Sequence, residues 1–323
     1  MGGANRKHHP HRGSMQFWPR KRAKRSYARV SSWKHSGELK LMGFPGYKAG
    51  MTHILIKDNN PKSKSDIVVP VTVVECPPLK VYSIRFYKNS EDGMKINGEL
   101  FAKKYNKELS RKIKPSKKDG IIPEDFDDIK IVVYTQPRLT GLEKKKPEIM
   151  EVGIGGKDLN EKLDFAKKLF DSDIQVSDVL KEGNLVDIHS VTKGKGFQGA
   201  IKRFGVKRLQ HKSEKKIRGI GNLGSWTPKK VQYTVAQPGK MGYHQRTEFN
   251  KLNIKMGVKP EEINPNGGFL HYGFIKNNYV LIKGSIPGNV KRLIVLADAI
   301  RTPAKFKPKL AEIKYLSLSS KQG

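Results

Sequence analysis

A single cysteine, Cys76, stands among 323 residues, so no disulfide can join two points of the chain and no Cys-rich zinc site can form. Its thiol precedes Pro77 and Pro78 and reads as a small packed side chain, in keeping with a reducing compartment. Long apolar runs are missing as well. No stretch approaches the ~20 residues that span a bilayer, and the opening MGGANRKHHPHRGS has no apolar segment to serve as a signal-peptide core. No amphipathic helix is rich enough to hold a lipid surface. These absences predict a soluble, intracellular protein with no membrane role. Acidic residues are scarce: 30 Asp and Glu face 64 Lys and Arg, a net charge of +34. Self-repulsion of that size calls for a polyanion to neutralise it, and nucleic acid is the obvious one, because Lys and Arg displace condensed counterions from phosphate.

The charge is unevenly spread. Residues 1–37 carry ten Lys or Arg and no acid, with Phe17, Trp18, Tyr27 and Trp33 among them. Such a stretch has too little apolar content to fold alone, and it reads as an arm that orders on a polyanion. Residues 193–251 hold 15 Lys or Arg against Glu214 and Glu248, with nine glycines. Their apolar residues keep no steady period, and a loop of this length inside a compact domain is usually functional. Phe197, Phe204, Trp226, Tyr233, Tyr243 and Phe249 offer flat faces for bases.

Between these segments the texture is short, turn-bounded apolar runs. Residues 51–56, 67–75, 81–87, 129–135, 185–192, 278–283 and 290–297 read as strands. So many strands argue for a closed or nearly closed β-barrel. One helix is expected from Asp158, whose Asp-x-x-Glu start is close to a capping box, with Leu159, Leu163, Ala166 and Phe170 on one face. A second is expected around 103–112. The expected organisation is mainly β with an α+β insertion. A basic arm covers 1–40, the barrel core 41–75, 176–192 and 252–323, the insertion 76–175, and a basic extension loop 193–251.

Residues 194–199 spell GxGxxG after a strand, yet Gly205 interrupts any helix after six residues and Glu214 sits among lysines, so a dinucleotide site is rejected. His8, His9 and His11 lie in a charged arm without cysteine or carboxylate partners, so no metal is expected. No nucleophile elbow and no pattern of paired carboxylates appears. No catalytic residue and no cofactor is predicted. Trp226, flanked by glycine, proline and lysine, reads as the tip of the basic loop rather than a core residue.

Four blocks in order then point to a family. Gly13-Ser14-Met15-Gln16-Phe17-Trp18-Pro19-Arg20-Lys21-Arg22-Ala23 and Gly43-Phe44-Pro45-Gly46-Tyr47-Lys48-Ala49-Gly50-Met51-Thr52-His53 are two. Thr192 to Gly199 is the third. Gly224-Ser225-Trp226-Thr227-Pro228 with Gly239 to Thr247 forms the fourth. Together they resemble the L-three family of large-subunit ribosomal proteins, archaeal type, over nearly the whole chain. The resemblance implies a six-stranded translation-protein-type β-barrel, with a basic loop running through rRNA toward the peptidyl transferase centre and Trp226 near its tip. It also implies a role early in subunit assembly. The chain stops soon after Lys314, without the long tail of eukaryotic members. Glu214 falls where eukaryotic relatives are basic and carry a modified histidine, so that modification is not carried over.

The residues expected to meet RNA in the arm are Arg6, Lys7, Arg12, Trp18, Arg20, Lys21, Arg22, Lys24, Arg25 and Arg29. Lys48 follows in the second block. In the loop they are Lys193, Lys195, Lys202, Arg203, Lys207, Arg208, Lys212, Lys215, Lys216, Arg218, Trp226, Lys229, Lys230, Lys240, His244 and Arg246. The expected partners are large-subunit (23S-type) rRNA and neighbouring ribosomal proteins in the cytoplasm, with no homo-oligomer. An RNA-modifying enzyme and a DNA-compacting architectural protein are the alternatives. The first needs an acid–base or cofactor constellation. The second predicts equal affinity for duplex DNA and folded rRNA.

Overall fold

A computed structural model of the chain describes residues 12–34, 36–57, 65–116, 120–213, 216–308 and 312–320. Strands β1 (Gly43–Lys57), β2 (Asp66–Glu75), β3 (Lys80–Ser90), β4 (Gly93–Phe101), β5 (Asp128–Tyr134) and β6 (Ile149–Gly153) come first. Helix α1 (Leu159–Lys168) and strands β7 (Leu185–Val191) and β8 (Phe197–Gln198) follow. Helix α2 (Ala200–Phe204), β9 (Gly239–Lys240), β10 (Gln245–Gly257), β11 (Tyr279–Lys283), β12 (Leu293–Asp298) and β13 (Ile313–Leu316) complete the order. The chain divides into two compact units. One comprises Arg25–Val191 with Arg246–Gly323, the other Met1–Lys24 with Thr192–Gln245.

In the larger unit, β12, β7, β10, β11, β2 and β1 are hydrogen-bonded in that order, and β1 pairs again with β12. The six strands thus form a closed ring. The length of β1 makes the closure possible. Its Gly43–Tyr47 half pairs with Leu293–Ala297, its Ile54–Ile56 half pairs with β13, and β2 runs along its other side. A register slip between Lys48 and Gly50 bends the strand where it changes partner. Closure leaves fewer edges to protect, and it encloses Phe44, Ile54, Val71, Val73, Ile188, Leu281, Ile294 and Leu296, all fully or almost fully buried.

A second antiparallel sheet, in the order β4-β3-β5-β6, lies in the same unit. Its Ile84, Phe86, Ile129, Ile131, Val133 and Val152 join the ring residues in one continuous apolar cluster. The insertion therefore shares the ring's core. Each such side chain contributes about 1.5–3 kcal/mol when fully buried. Buried polar groups tie the two parts further. The Tyr47 hydroxyl meets Thr135 Oγ1 at 2.9 Å and donates to Glu148 Oε2 at 2.8 Å. Glu75, wholly buried, accepts from the Tyr272 hydroxyl, from the backbone N–H of Lys276 (2.9 Å) and Asn277 (3.0 Å), and from Asn277 Nδ2 (2.8 Å). A buried carboxylate is tolerated only with that many donors.

Each of the seven expected runs lies largely on a strand, but β4, β6, β10 and β13 had not been foreseen. β4 alternates Met94, Ile96 and Leu100 with Lys95, Asn97 and Glu99, but Gly93 and Gly98 break up its apolar side and most of it is exposed, so it had not stood out as a strand. β10 begins at Gln245, inside the segment read as loop, so residues 245–251 are strand. The expected helix appears as α1, but Asp158 makes no side-chain cap bond, so the capping box is not formed. Around 103–112 only a 3-10 turn, Lys107–Arg111, is present, with Leu109 buried. The Asp58-Asn59-Asn60 turn lies outside the described residues.

The arm also divides. Residues 12–24 belong to the smaller unit, whereas 25–40 belong to the larger. There the Trp33 ring fills the space that side chains at Gly43 and Gly153 would need, Ala28 is buried, and Arg292 Nη1 donates to the Ser26 carbonyl at 3.1 Å. Apolar seats, more than charge, fix this half.

Candidate nucleic-acid interface

The smaller unit is built on a short neck. Thr192 N–H donates to the His244 carbonyl (2.9 Å), Lys195 N–H to the Met241 carbonyl (2.9 Å) and Met241 N–H to the Gly196 carbonyl (2.9 Å). β8 then pairs with β9. The legs approach so closely that a Cβ on Gly242, at φ +77°, would lie 2.0 Å from the Lys193 carbonyl oxygen. Only glycine fits there. The GxGxxG segment leads into α2, which ends after five residues at Gly205 in the left-handed conformation. It is not the multi-turn helix of a dinucleotide site.

An aromatic and guanidinium cluster locks the arm to the base of the loop. Trp18 stacks on Phe204 with ring centroids 5.9 Å apart and planes 20° apart, and Tyr233 meets Trp18 edge-on at 5.9 Å. The Arg20 guanidinium lies 4.3 Å from the Phe204 centroid and 5.7 Å from that of Trp18, and Arg203 lies 5.1 Å from Phe204. Offset stacking and cation–π contacts of this kind add about 0.5–1.5 kcal/mol each. Arg203 also donates to the carbonyls of Gln237 (2.8 Å) and Lys240 (3.2 Å). The arm backbone is held too: Ala23 N–H donates to the Tyr243 carbonyl at 2.8 Å.

Around this frame the cations point outward. Arg12, Lys21, Arg22, Lys24, Lys193, Lys195, Lys202, Lys207, Arg208, Lys212, Lys216, Arg218, Lys229, Lys230 and Lys240 are exposed, as are Arg25 and Arg29 in the larger unit. Residues 1–24 and 192–245 together carry seven and thirteen Lys or Arg, against Glu214 alone. Trp226 is 84% exposed. Its turn is pinned by Asn222 Oδ1, which accepts from Gly224 N–H at 2.8 Å, and by the Ser225 hydroxyl, which donates to the Thr227 carbonyl at 2.7 Å. An exposed indole on a pinned turn is presented to a partner at little entropic cost.

Several expected contacts are corrected by the geometry. Lys48 is 8% exposed, and its ammonium donates to the carbonyls of Ile286 (2.7 Å) and Gly288 (3.1 Å) inside the larger unit. Burial pulls its pKa down, opposed by the charge of Glu248. It is a structural lysine. His244 is buried, with Nδ1 2.7 Å from the Lys21 carbonyl, so it fastens the arm and does not face phosphate. Trp18 is half-buried in the aromatic cluster, Arg203 is half-buried and spent on loop carbonyls, and Arg20 and Arg246 are half-buried. Arg6, Lys7 and Lys215 lie outside the described residues, as do His8, His9 and His11. Phe197, read as a flat face for bases but not placed among the residues expected to meet RNA, is well exposed. An aromatic set in the basic, glycine-rich run Lys195-Gly196-Phe197-Gln198-Gly199 was the signal for it. Among the described residues no group of His, Cys, Asp and Glu is placed to hold a metal ion.

A mainly β body with an almost wholly cationic, aromatic-bearing extension is the build of a protein that binds a polyanion. Comparison with known proteins specifies which kind. The family model described as Ribosomal protein L3 matches residues 4–123 and 121–323. The chain is 49% identical to the large ribosomal subunit protein uL3 of Methanocaldococcus jannaschii, over 97% of this chain and 98% of that one. It is 47% identical to the uL3 protein of Archaeoglobus fulgidus (98% and 99%) and 45% to that of Methanobrevibacter smithii (98% and 99%). The chain belongs to the Ribosomal protein L3 family, a family of structural proteins of the large subunit and not of enzymes.

Proposed function

We propose that this protein is a structural constituent of the large ribosomal subunit that binds 23S-type rRNA through the smaller unit. The single observation that carries this reading is the segregation of charge. Twenty cations and one acid fall in residues 1–24 and 192–245, most of those described pointing outward around a small aromatic frame. Phosphate contacts supply the affinity and fix the register, while exposed aromatics such as Trp226 and Phe197 stack on unpaired bases. In this reading the closed ring is a translation-protein-type β-barrel that anchors the chain at the particle surface. The 193–251 segment runs inward toward the peptidyl transferase centre with Trp226 leading. The protein joins early in subunit assembly, in the cytoplasm, as one copy among neighbouring ribosomal proteins.

The test is sedimentation of the chain with large subunits through a gradient at moderate salt, with competition between folded rRNA and duplex DNA for the purified protein. Co-sedimentation and a strong preference for folded rRNA are expected. Equal affinity for the two nucleic acids would overturn the reading.

A further inference from the structure

Residues 102–116 lie against the face of the four-stranded sheet that carries Val132 and Tyr134, opposite the face that gives Ile131 and Val133 to the ring's core. They are fastened there. Leu109 is wholly buried with Tyr82, Val132 and Tyr134, and Ile113 packs beside it. Ala102 N–H donates to the Tyr82 carbonyl (2.9 Å), Asn106 N–H to the Tyr134 hydroxyl (3.2 Å) and Asn106 Nδ2 to Gln136 Oε1 (2.9 Å). The other side of the segment meets solvent. Lys103, Lys104, Lys107, Arg111, Lys112 and Lys114 are all exposed, and Tyr105 is 41% exposed among them.

The acids around these cations are engaged elsewhere. Glu108 pairs with Arg138 at 3.1 Å, Glu99 with Arg85 at 3.1 Å and Asp173 with Lys80 at 3.4 Å, while the buried Glu148 takes the Tyr47 hydroxyl and Lys144. Glu143 alone in 138–148 is an exposed acid without an ion pair among the described residues. None of the six cations has an ion-pair partner among the described residues either. Lysines on a solvated face ordinarily spread apart. Here they crowd: burial, then the charges of Lys112 and Arg292, push the Lys144 pKa down to about 8. Cations from three distant stretches of the chain therefore converge on one side of the larger unit.

Their chemistry suits RNA better than protein. Tyr105 is the only large apolar side chain exposed between residues 103 and 114, which is too little for the apolar core of a protein interface. Phosphate needs no such core, since its affinity comes from counterion release, and a tyrosine ring among cations can stack on a base. We propose that residues 103–114 form a second RNA-binding surface, on the larger unit, that takes the sugar–phosphate backbone. That the RNA is rRNA rests on the function proposed above; the surface shares no residue with the smaller unit.

The test uses the full chain and large-subunit rRNA. Lys107→Ala with Arg111→Ala and Lys112→Ala is expected to lower affinity at least about tenfold and to flatten the slope of log affinity against log salt by roughly 2, with the melting temperature unchanged. Lys167→Ala with Lys168→Ala and Lys259→Ala removes the same charge from other exposed positions of the larger unit, and a loss below about twofold is expected. Equal losses in the two variants would show net charge alone and overturn the proposal, as would no loss in the first. Because Cys76 is buried, a hydroxyl-radical probe can be tethered at Lys107→Cys alone, and cuts at defined rRNA nucleotides are expected. No cuts from position 107, while a probe on Lys230→Cys does cut, would overturn this surface and leave the role of the smaller unit standing. Cuts from position 107 alone would uphold this surface and overturn that role, and cuts from neither would overturn both. Poly-glutamate that binds the chain as tightly as rRNA, and is lost in the first variant, would assign the surface to an acidic protein and overturn the proposal.

Discussion

Replacing Trp226 with alanine separates a residue that presents itself to RNA from one that holds the fold. The side chain is 84% exposed, so about one-sixth of its surface is covered. A fully buried tryptophan hides up to about 250 Å². One-sixth of that is roughly 40 Å², or about 1 kcal/mol at about 25 cal/mol per Å². For a chain of this size such a loss moves the melting temperature by at most about 4 °C. Stacking on a base is worth about 1–3 kcal/mol, which is roughly a 5- to 150-fold loss of affinity. Scanning calorimetry of the purified variant and filter binding to large-subunit rRNA measure the two quantities side by side. A melting temperature lowered by much more than about 4 °C would return Trp226 to the core. Affinity unchanged within about twofold would remove it from the interface.

The corrected residues give the reverse pattern. Lys48→Met should cost about 1–3 kcal/mol in denaturant unfolding, because two buried carbonyls lose their donor, with no change in rRNA affinity. Lys229→Ala with Lys230→Ala should leave stability alone and lower the slope of log affinity against log salt by roughly 1–2. Glu75→Ala, which strands the Tyr272 hydroxyl and the backbone N–H of Lys276 and Asn277 while Asn277 Nδ2 keeps the Leu139 carbonyl, should cost at least about 1–3 kcal/mol in denaturant unfolding. His189 is buried with Nδ1 2.9 Å from Thr247 Oγ1, and burial lowers its pKa below 6.5. The unfolded chain therefore binds the proton first as pH falls. Stability is full above the unfolded value, is lost at up to about 1.4 kcal/mol per pH unit below it, and stops falling at the folded pKa. Urea titrations at pH 7.5 and 5.5 should show this loss, and His189→Gln should flatten it.

Much of the fold was readable because strands buried in a sheet leave short apolar runs bounded by turns, alternating strictly where one face is polar. Residues 82–86 alternate, 129–135 and 185–192 are nearly continuous runs buried on both faces, and strands lie at all three. β4 and the start of β10 were missed, since one is an exposed edge with two glycines among its apolar positions and the other begins within basic sequence. The cationic residues were legible as a group, for charge shows in sequence whatever the fold. Their individual roles were not. Lys48 and Lys240 look alike as letters, yet one ammonium is buried on two carbonyls and the other side chain is exposed.

By itself, then, the sequence determined the sign and location of the charge, the absence of disulfide chemistry, and the presence of many short strands, because composition and local period do not depend on long-range contacts. Tertiary structure alone decided that β1 meets β12 to close the ring, and that Trp18 is locked on Phe204 while Trp226 is left open. Those outcomes depend on residues far apart in sequence competing for the same space, and no local pattern records which of them wins.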